Sequence, residues 1–147
     1  MTAQNAVLVY LVDDDPAVRD SLQSLLESVG LRTQSFADTE TFLTAYWPDC
    51  PGCLLLDVRI PGRNDLSSQQ LLRDRGIDVP VVIITGHGDV AMAVTAMKQG
   101  ALDFIEKPFN DQMLLDCVHS ALTEDRIRRR TRAQRQVLLA RLKTLTP

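Results

Sequence analysis

Short apolar runs recur along this chain at nearly constant spacing, and that repeat restricts the fold more than any other feature. VLVYLV (7–12), RTQSF (32–36), CLLLDV (53–58), PVVIIT (80–85) and LDFIEK (102–107) are strand-like, with centres 20–27 residues apart. Three of them are continuous apolar runs, as strands covered on both faces require, whereas 32–36 alternates and suits a sheet edge. Helical patterns fill the gaps. Asp15-Pro16 supplies a cap and a first-turn proline, Val18, Leu22, Leu25, Leu26 and Val29 form one stripe, and Gly30 stops the helix. Asp38 to Tyr46 and Leu66 to Arg73 follow. Asp89 to Gln99 is read with Val90, Ala93, Val94 and Met97 inward and Gly100 at its end. Asn110 caps a fifth helix carrying Met113, Leu114, Cys117, Val118, Ala121 and Leu122. Strand and helix in alternation predict one α/β domain, a doubly wound five-stranded parallel sheet with right-handed crossovers.

Composition agrees with this and narrows the function. A chain of 147 residues, 45% hydrophobic and 24% charged, has a one-domain length with room for a tail. It has neither an eighteen-residue apolar run nor a basic segment leading into a cleavable apolar one, so a cytoplasmic protein without membrane association is expected. The net charge of −3 conceals an asymmetry: 17 acids stand against 8 bases up to Thr123, and eight more bases lie between Arg126 and Lys143. We therefore read residues 1–123 as the domain and 124–147 as a basic helical linker whose Val137, Leu138, Leu142 and Leu145 pack on a neighbour. Cys50-Pro51-Gly52-Cys53 is a C-x-x-C, but it leads into a strand rather than a helix, and His87 and His119 do not complete a zinc set. It reads as a turn.

Ligands of open parallel sheets gather beyond the carboxyl ends of the strands. At those ends stand Asp13 and Asp14, then Asp57, Thr85 and Lys107. Three crowded carboxylates oppose one another's ionisation, so a cation must answer them. Oxygen ligands of this kind suit Mg²⁺ or Mn²⁺. Lys107 and Thr85 add an ammonium and a hydroxyl for phosphate oxygens, and Asp57 can act as a nucleophile towards phosphorus. Asp15 is read as a helix cap only.

LVDDDP, LLLDVRIPG, VVIITGHGD and DFIEKPF, in this order over about residues 6–123, resemble the receiver domain of bacterial two-component response regulators, the FixJ-type branch in particular. The resemblance implies a flavodoxin-like (βα)5 fold with strand order 2-1-3-4-5. It implies that Asp57 takes a phosphoryl group from a sensor histidine kinase, with no activity beyond this self-phosphotransfer and autodephosphorylation. Asp13, Asp14, Asp57 and the Arg59 backbone carbonyl would hold the metal, Lys107 would contact the phosphoryl group, and the Lys107–Pro108 peptide would be cis. Thr85 and Phe104 would form a switch pair, although a lone phenylalanine in a strand read as buried is more often core. Arg59 and His87, each two positions beyond a site residue, are expected to tune the lifetime of the phosphate. Homodimerisation on phosphorylation is a further implication.

Two features stand apart from the family pattern. Asp65 replaces a usual glycine and Ser68 a usual apolar residue, so the Arg63 to Gln69 stretch is expected to be irregular and the third helix loose or late. In FixJ-type regulators a Leu-Thr-Pro opens the DNA-binding domain, and the chain ends at Leu145-Thr146-Pro147. From this we expect a truncated transcription regulator that reaches DNA only through an absent C-terminal domain; the alternative is a stand-alone receiver working through protein contacts. A phosphatase of the haloacid dehalogenase type would need an acid two residues after the nucleophile, where Arg59 stands. A nucleotide-binding domain would need a glycine-rich phosphate loop, which the sequence lacks.

Overall fold

The computed structural model describes residues 7–57, 65–86 and 90–145. Ten elements alternate strictly: β1 (Leu8–Val12), α1 (Pro16–Ser28), β2 (Arg32–Phe36), α2 (Thr39–Ala45), β3 (Gly52–Asp57), α3 (Asp65–Asp74), β4 (Val81–Thr85), α4 (Val90–Lys98), β5 (Asp103–Glu106) and α5 (Asp111–Leu145). The strands form one parallel sheet in the order β2-β1-β3-β4-β5. Every strand therefore ends at the same rim.

Side-chain alternation sorts the core into two halves. Tyr10, Val12, Leu54, Leu56 and Ile83 face α2, α3 and α4, packing on Phe42, Leu72 and Ala96. Val9, Leu11, Leu55, Ile84 and Ile105 face α1 and α5, packing on Leu22, Leu26, Leu114 and Val118. Tyr10 anchors the first half through rings: Phe42 lies 5.0 Å away edge-on and Tyr46 5.5 Å away. β1, β3 and β4 are buried at every position, as expected for their continuous apolar runs, and β2 is the half-exposed edge.

Local signals act where the sequence places them. Asp15 caps α1 by accepting the Ala17 N–H at 2.9 Å, and Asn110 caps α5 by accepting the Gln112 N–H at 2.8 Å. Gly30 ends α1 with φ +85°, a conformation costly for any residue with a Cβ. Gly52 has another reason to be glycine. A Cβ there would lie 2.0 Å from the Leu8 carbonyl oxygen, so β1 and β3 could not approach as they do. Pro51 in turn accepts the Leu8 N–H at 3.0 Å. The C-x-x-C is thus the turn that lets β3 begin. Cys53 is buried in the sheet, where burial pushes its thiol up to about 12.

Four sequence expectations need correction. α4 turns its small residues inward: Ala93 and Ala96 are fully buried, while Val90, Val94 and Met97 face outward. Alanines let the helix pack closely on the sheet, and the larger apolar side chains have no room beneath it. Met113 likewise points outward from α5. In β5 only Ile105 is buried, because β5 is the sheet edge, and the Phe104 ring is 38% exposed. α3 does not start late; it runs from Asp65, and Gln69 and Leu72 anchor it.

Helix α5 continues without interruption for 35 residues, about 52 Å of helix. Its side chains are exposed from Arg130 to Thr144. No helix among the described residues is long and apolar enough to cross a membrane.

Replacing Gly52 with alanine forces β1 from β3 and should cost about 2 kcal/mol or more, in the range of overpacked cores. Urea denaturation of Gly52→Ala against the parent measures this; a change within about 0.5 kcal/mol would contradict the close approach.

Candidate functional site at the carboxyl rim

The sheet order makes neighbours of strands that are distant in sequence. β1 and β3 pair with Val12 opposite Leu56, and β3 and β4 with Asp57 opposite Ile84. The next residue of β1 is Asp13, beside Asp57. Asp13, Asp57 and Lys107 also share strand parity with Leu11, Leu55 and Ile105, so all three lean to the face covered by α1 and α5. Ligand oxygens of Asp13, Asp14 and Asp57 accordingly fall within 4.8 Å of one another. The Lys107 ammonium lies 3.4 Å from Asp13 Oδ2 and 3.5 Å from Asp57 Oδ2.

Asp13 is held from several directions. Its backbone N–H donates to the Phe36 carbonyl at 3.1 Å, its Oδ1 accepts the Asp15 N–H at 2.9 Å, and its carbonyl accepts from Arg19 at 2.6 Å. This leaves Oδ2 aimed at the lysine. Asp13 and Asp57 are 1% and 4% exposed, whereas Asp14 faces solvent. Burial drives the Asp13 carboxyl above its ordinary range and the Asp57 charge adds to this, while the Asp15 N–H and Lys107 pull it back.

Among the described residues, three carboxylates thus gather around the Lys107 ammonium. The donor set is all oxygen, partly buried and open on the Asp14 side, which fits a hard divalent cation that keeps some of its waters.

Thr85 closes β4 at the same rim, fully buried, with its hydroxyl donating to the Ile105 carbonyl at 3.4 Å. Phe104 pairs with Ile83, so Thr85 and Phe104 lie on one face of the sheet as diagonal neighbours. Lys107 is fixed through its backbone: its N–H donates to the Thr85 carbonyl at 2.8 Å, and the Lys107–Pro108 peptide is cis. Arg59 and His87 lie outside the described residues. Two groups of polar contacts escaped the sequence reading, those of Asp125 and Arg129 with residues 48–52, at the opposite pole of the sheet. An acid and a base four apart, just past the last apolar core residue of a helix, were their only signal.

A five-stranded parallel sheet in this order, with acids after β1 and β3 and a lysine after β5, is the flavodoxin-like architecture with its site at the rim. Residues 9–119 match the model of the response regulator receiver domain, and the chain belongs to that family: it is a receiver domain of two-component signalling. It is 46% identical over 147 residues to Nodulation protein W of Bradyrhizobium diazoefficiens, covering 99% of this chain and 64% of that protein. Transcriptional regulatory protein FixJ of the same organism is 40% identical over 139 residues, covering 95% of this chain and 68% of the relative. Among solved structures, the response regulator StyR superposes with a TM-score of 0.87 at 40% identity, covering 96% of this chain and 71% of that one. Full-length FixJ from B. japonicum gives 0.77 at 40% identity, covering 96% and 70%. The chain spans only about half to two thirds of the first curated relatives it matches.

Because Asp13 is raised, its ionised form is less favourable in the folded protein than in the unfolded chain. At neutral pH it lowers stability, and that cost is relieved as pH falls through the folded value. Asp13→Asn keeps the Asp15 contact and removes the charge, so the metal-free melting temperature should rise by about 3 °C. A fall would mean that pairing with Lys107 outweighs burial.

Proposed function

We propose that Asp57 is the phosphoacceptor of this receiver and that a sensor histidine kinase is its donor. The observation that carries this reading is the Lys107 ammonium set between two buried carboxylates from adjacent strands, with Asp14 in ligand range. An Asp57 oxygen attacks the phosphorus of a phosphohistidine, the P–N bond breaks, and the imidazole leaves with a proton. The product is an acyl phosphate whose oxygens lie within reach of Lys107 and the Thr85 hydroxyl. Mg²⁺, held by Asp13, Asp14 and Asp57, supplies neutralisation of the charge that gathers there. Attack of water on the same acyl phosphate would break its P–O bond, release inorganic phosphate and restore the Asp57 carboxylate.

Thr85 and Phe104 read best as the switch. A hydroxyl drawn towards a phosphoryl group gives up its bond to Ile105 and vacates space on the face that Phe104 shares. The outward Val90, Val94 and Met97 adjoin that face and form an apolar surface suited to a second receiver. Residues 1–123 are then the phosphoacceptor domain and 124–147 the segment leading to an output. Since the relatives include a transcriptional regulatory protein and extend beyond this chain, we assign that output to a DNA-binding domain, in a cytoplasmic regulator.

Acetyl phosphate with Mg²⁺ should add one phosphoryl mass to the intact protein; Asp57→Asn or chelation should remove it, and Lys107→Ala should leave labelling but uncouple the switch. Persistent labelling of Asp57→Asn would place the acceptor elsewhere. The phosphorylated protein should also dimerise in sedimentation, and Val94→Asp should keep it monomeric while labelling proceeds. A Val94→Asp dimer would move the interface off α4.

A further inference from the structure

The pole of the sheet opposite the acidic rim carries a second polar constellation, and phosphoryl transfer makes no use of it. Asp125, 1% exposed, lies one turn past the last apolar core residue of α5. Its Oδ2 accepts the backbone N–H of Gly52, the first residue of β3, at 3.0 Å. The same oxygen accepts Arg129 Nε at 2.7 Å. Arg129 then spreads its two remaining nitrogens over the turn before β3, donating to the Pro48 carbonyl at 2.9 Å and the Cys50 carbonyl at 2.8 Å. Outside this core, Arg128 and Arg132 each lie 3.3 Å from the Asp78 carboxylate, in the connection before β4.

We infer that Asp125 and Arg129 form a latch that fastens the outgoing part of α5 to the amino-terminal pole of the sheet, so that the chain leaves the receiver as a fixed lever rather than a loose linker. Geometry gives the latch its strength. One planar guanidinium fills three acceptors at once, two of them backbone carbonyls that no side-chain rearrangement can withdraw. The carboxylate is buried, so its partner cannot be exchanged for water without leaving a charge in the core. Exposed pairs such as Arg128–Asp78 and Arg132–Asp78 add little and serve to align the helix. Beyond Arg132 the side chains up to Thr144 are exposed, and thirteen residues are too few to form a stable helix alone in water. Their helicity depends on the latch behind them. Strand β3 links the two poles, with Gly52 in the latch and Asp57, its last residue, at the rim. The direction of the lever is therefore set relative to the phosphoacceptor by one buried strand.

The inference rests on reading 124–147 as the segment that leads out of the receiver, and it is tested without reference to phosphate. Amide exchange of the whole chain, read by mass spectrometry, compares the parent with Arg129→Lys and Asp125→Asn. A lysine ammonium has its three donors on one nitrogen and cannot reach acceptors spread over the three nitrogens of the guanidinium, and asparagine retains the Gly52 contact while losing the charge. Both variants should exchange at least about tenfold faster over residues 126–145, with β1, β3 and β4 unchanged. Asp78→Ala should alter that segment less than about threefold. Unchanged protection of 126–145 in both variants overturns the latch. So does accelerated exchange across the entire sheet, which would make the pair part of one cooperative core. Labelling of Asp57 by acetyl phosphate in the same samples tests the phosphoacceptor separately, and its failure would leave the exchange pattern standing.

Discussion

Strand β3 is the member on which the rest of the molecule depends. It lies between β1 and β4, is buried at all six positions, and hydrogen-bonds along both edges. Its close seat against β1 requires glycine at position 52, and its last residue is Asp57. Because all its neighbours run parallel to it, whatever follows each strand is delivered to the side where Asp57 stands. A parallel sheet thus converts residues far apart in sequence into one cluster.

Among the described residues, that cluster gathers three carboxylates around one lysine. Burial raises the Asp13 carboxyl and Asp57 raises it further, and one lysine at 3.4–3.5 Å offsets only part of this. Proteins hold such an arrangement where a cation or an anionic ligand completes it. The fold supplies the stability that the site lacks, through two apolar layers that pack independently of the rim.

The two poles divide the labour. At the carboxyl rim, charges are crowded and open to a ligand; at the amino pole, Asp125 and Arg129 are paired and closed. Between them α4 and β5 present Val90, Val94, Met97 and Phe104 outward, which leaves an apolar surface beside the switch pair. Helix α5 belongs to both regions: it packs on the sheet up to Leu122 and is tied at Asp125 and Arg129 before it projects.

Much of this was legible in the sequence because it depends on local chemistry. Apolar runs marked the strands, Asp15 and Asn110 the caps, Gly30 a stop, and the spacing of Asp13, Asp14, Asp57, Thr85 and Lys107 the rim. The facing of α4 was not legible, since a helix apolar on most sides does not say which side is covered; only the close fit of Ala93 and Ala96 against the sheet decides it. Phe104 was expected in a buried strand, and its exposure follows from β5 having no neighbour on its far side. The basic segment read as a solvated linker because charge runs usually are. Whether Arg129 meets water or three acceptors of the protein depends on where β3 begins, 77 residues earlier in the chain. The sequence by itself determined which segments form elements and which groups could do chemistry, because those depend on neighbours within a few residues. Tertiary structure alone decided which faces are covered and which charges are paired, because these depend on contacts between segments that no local pattern encodes.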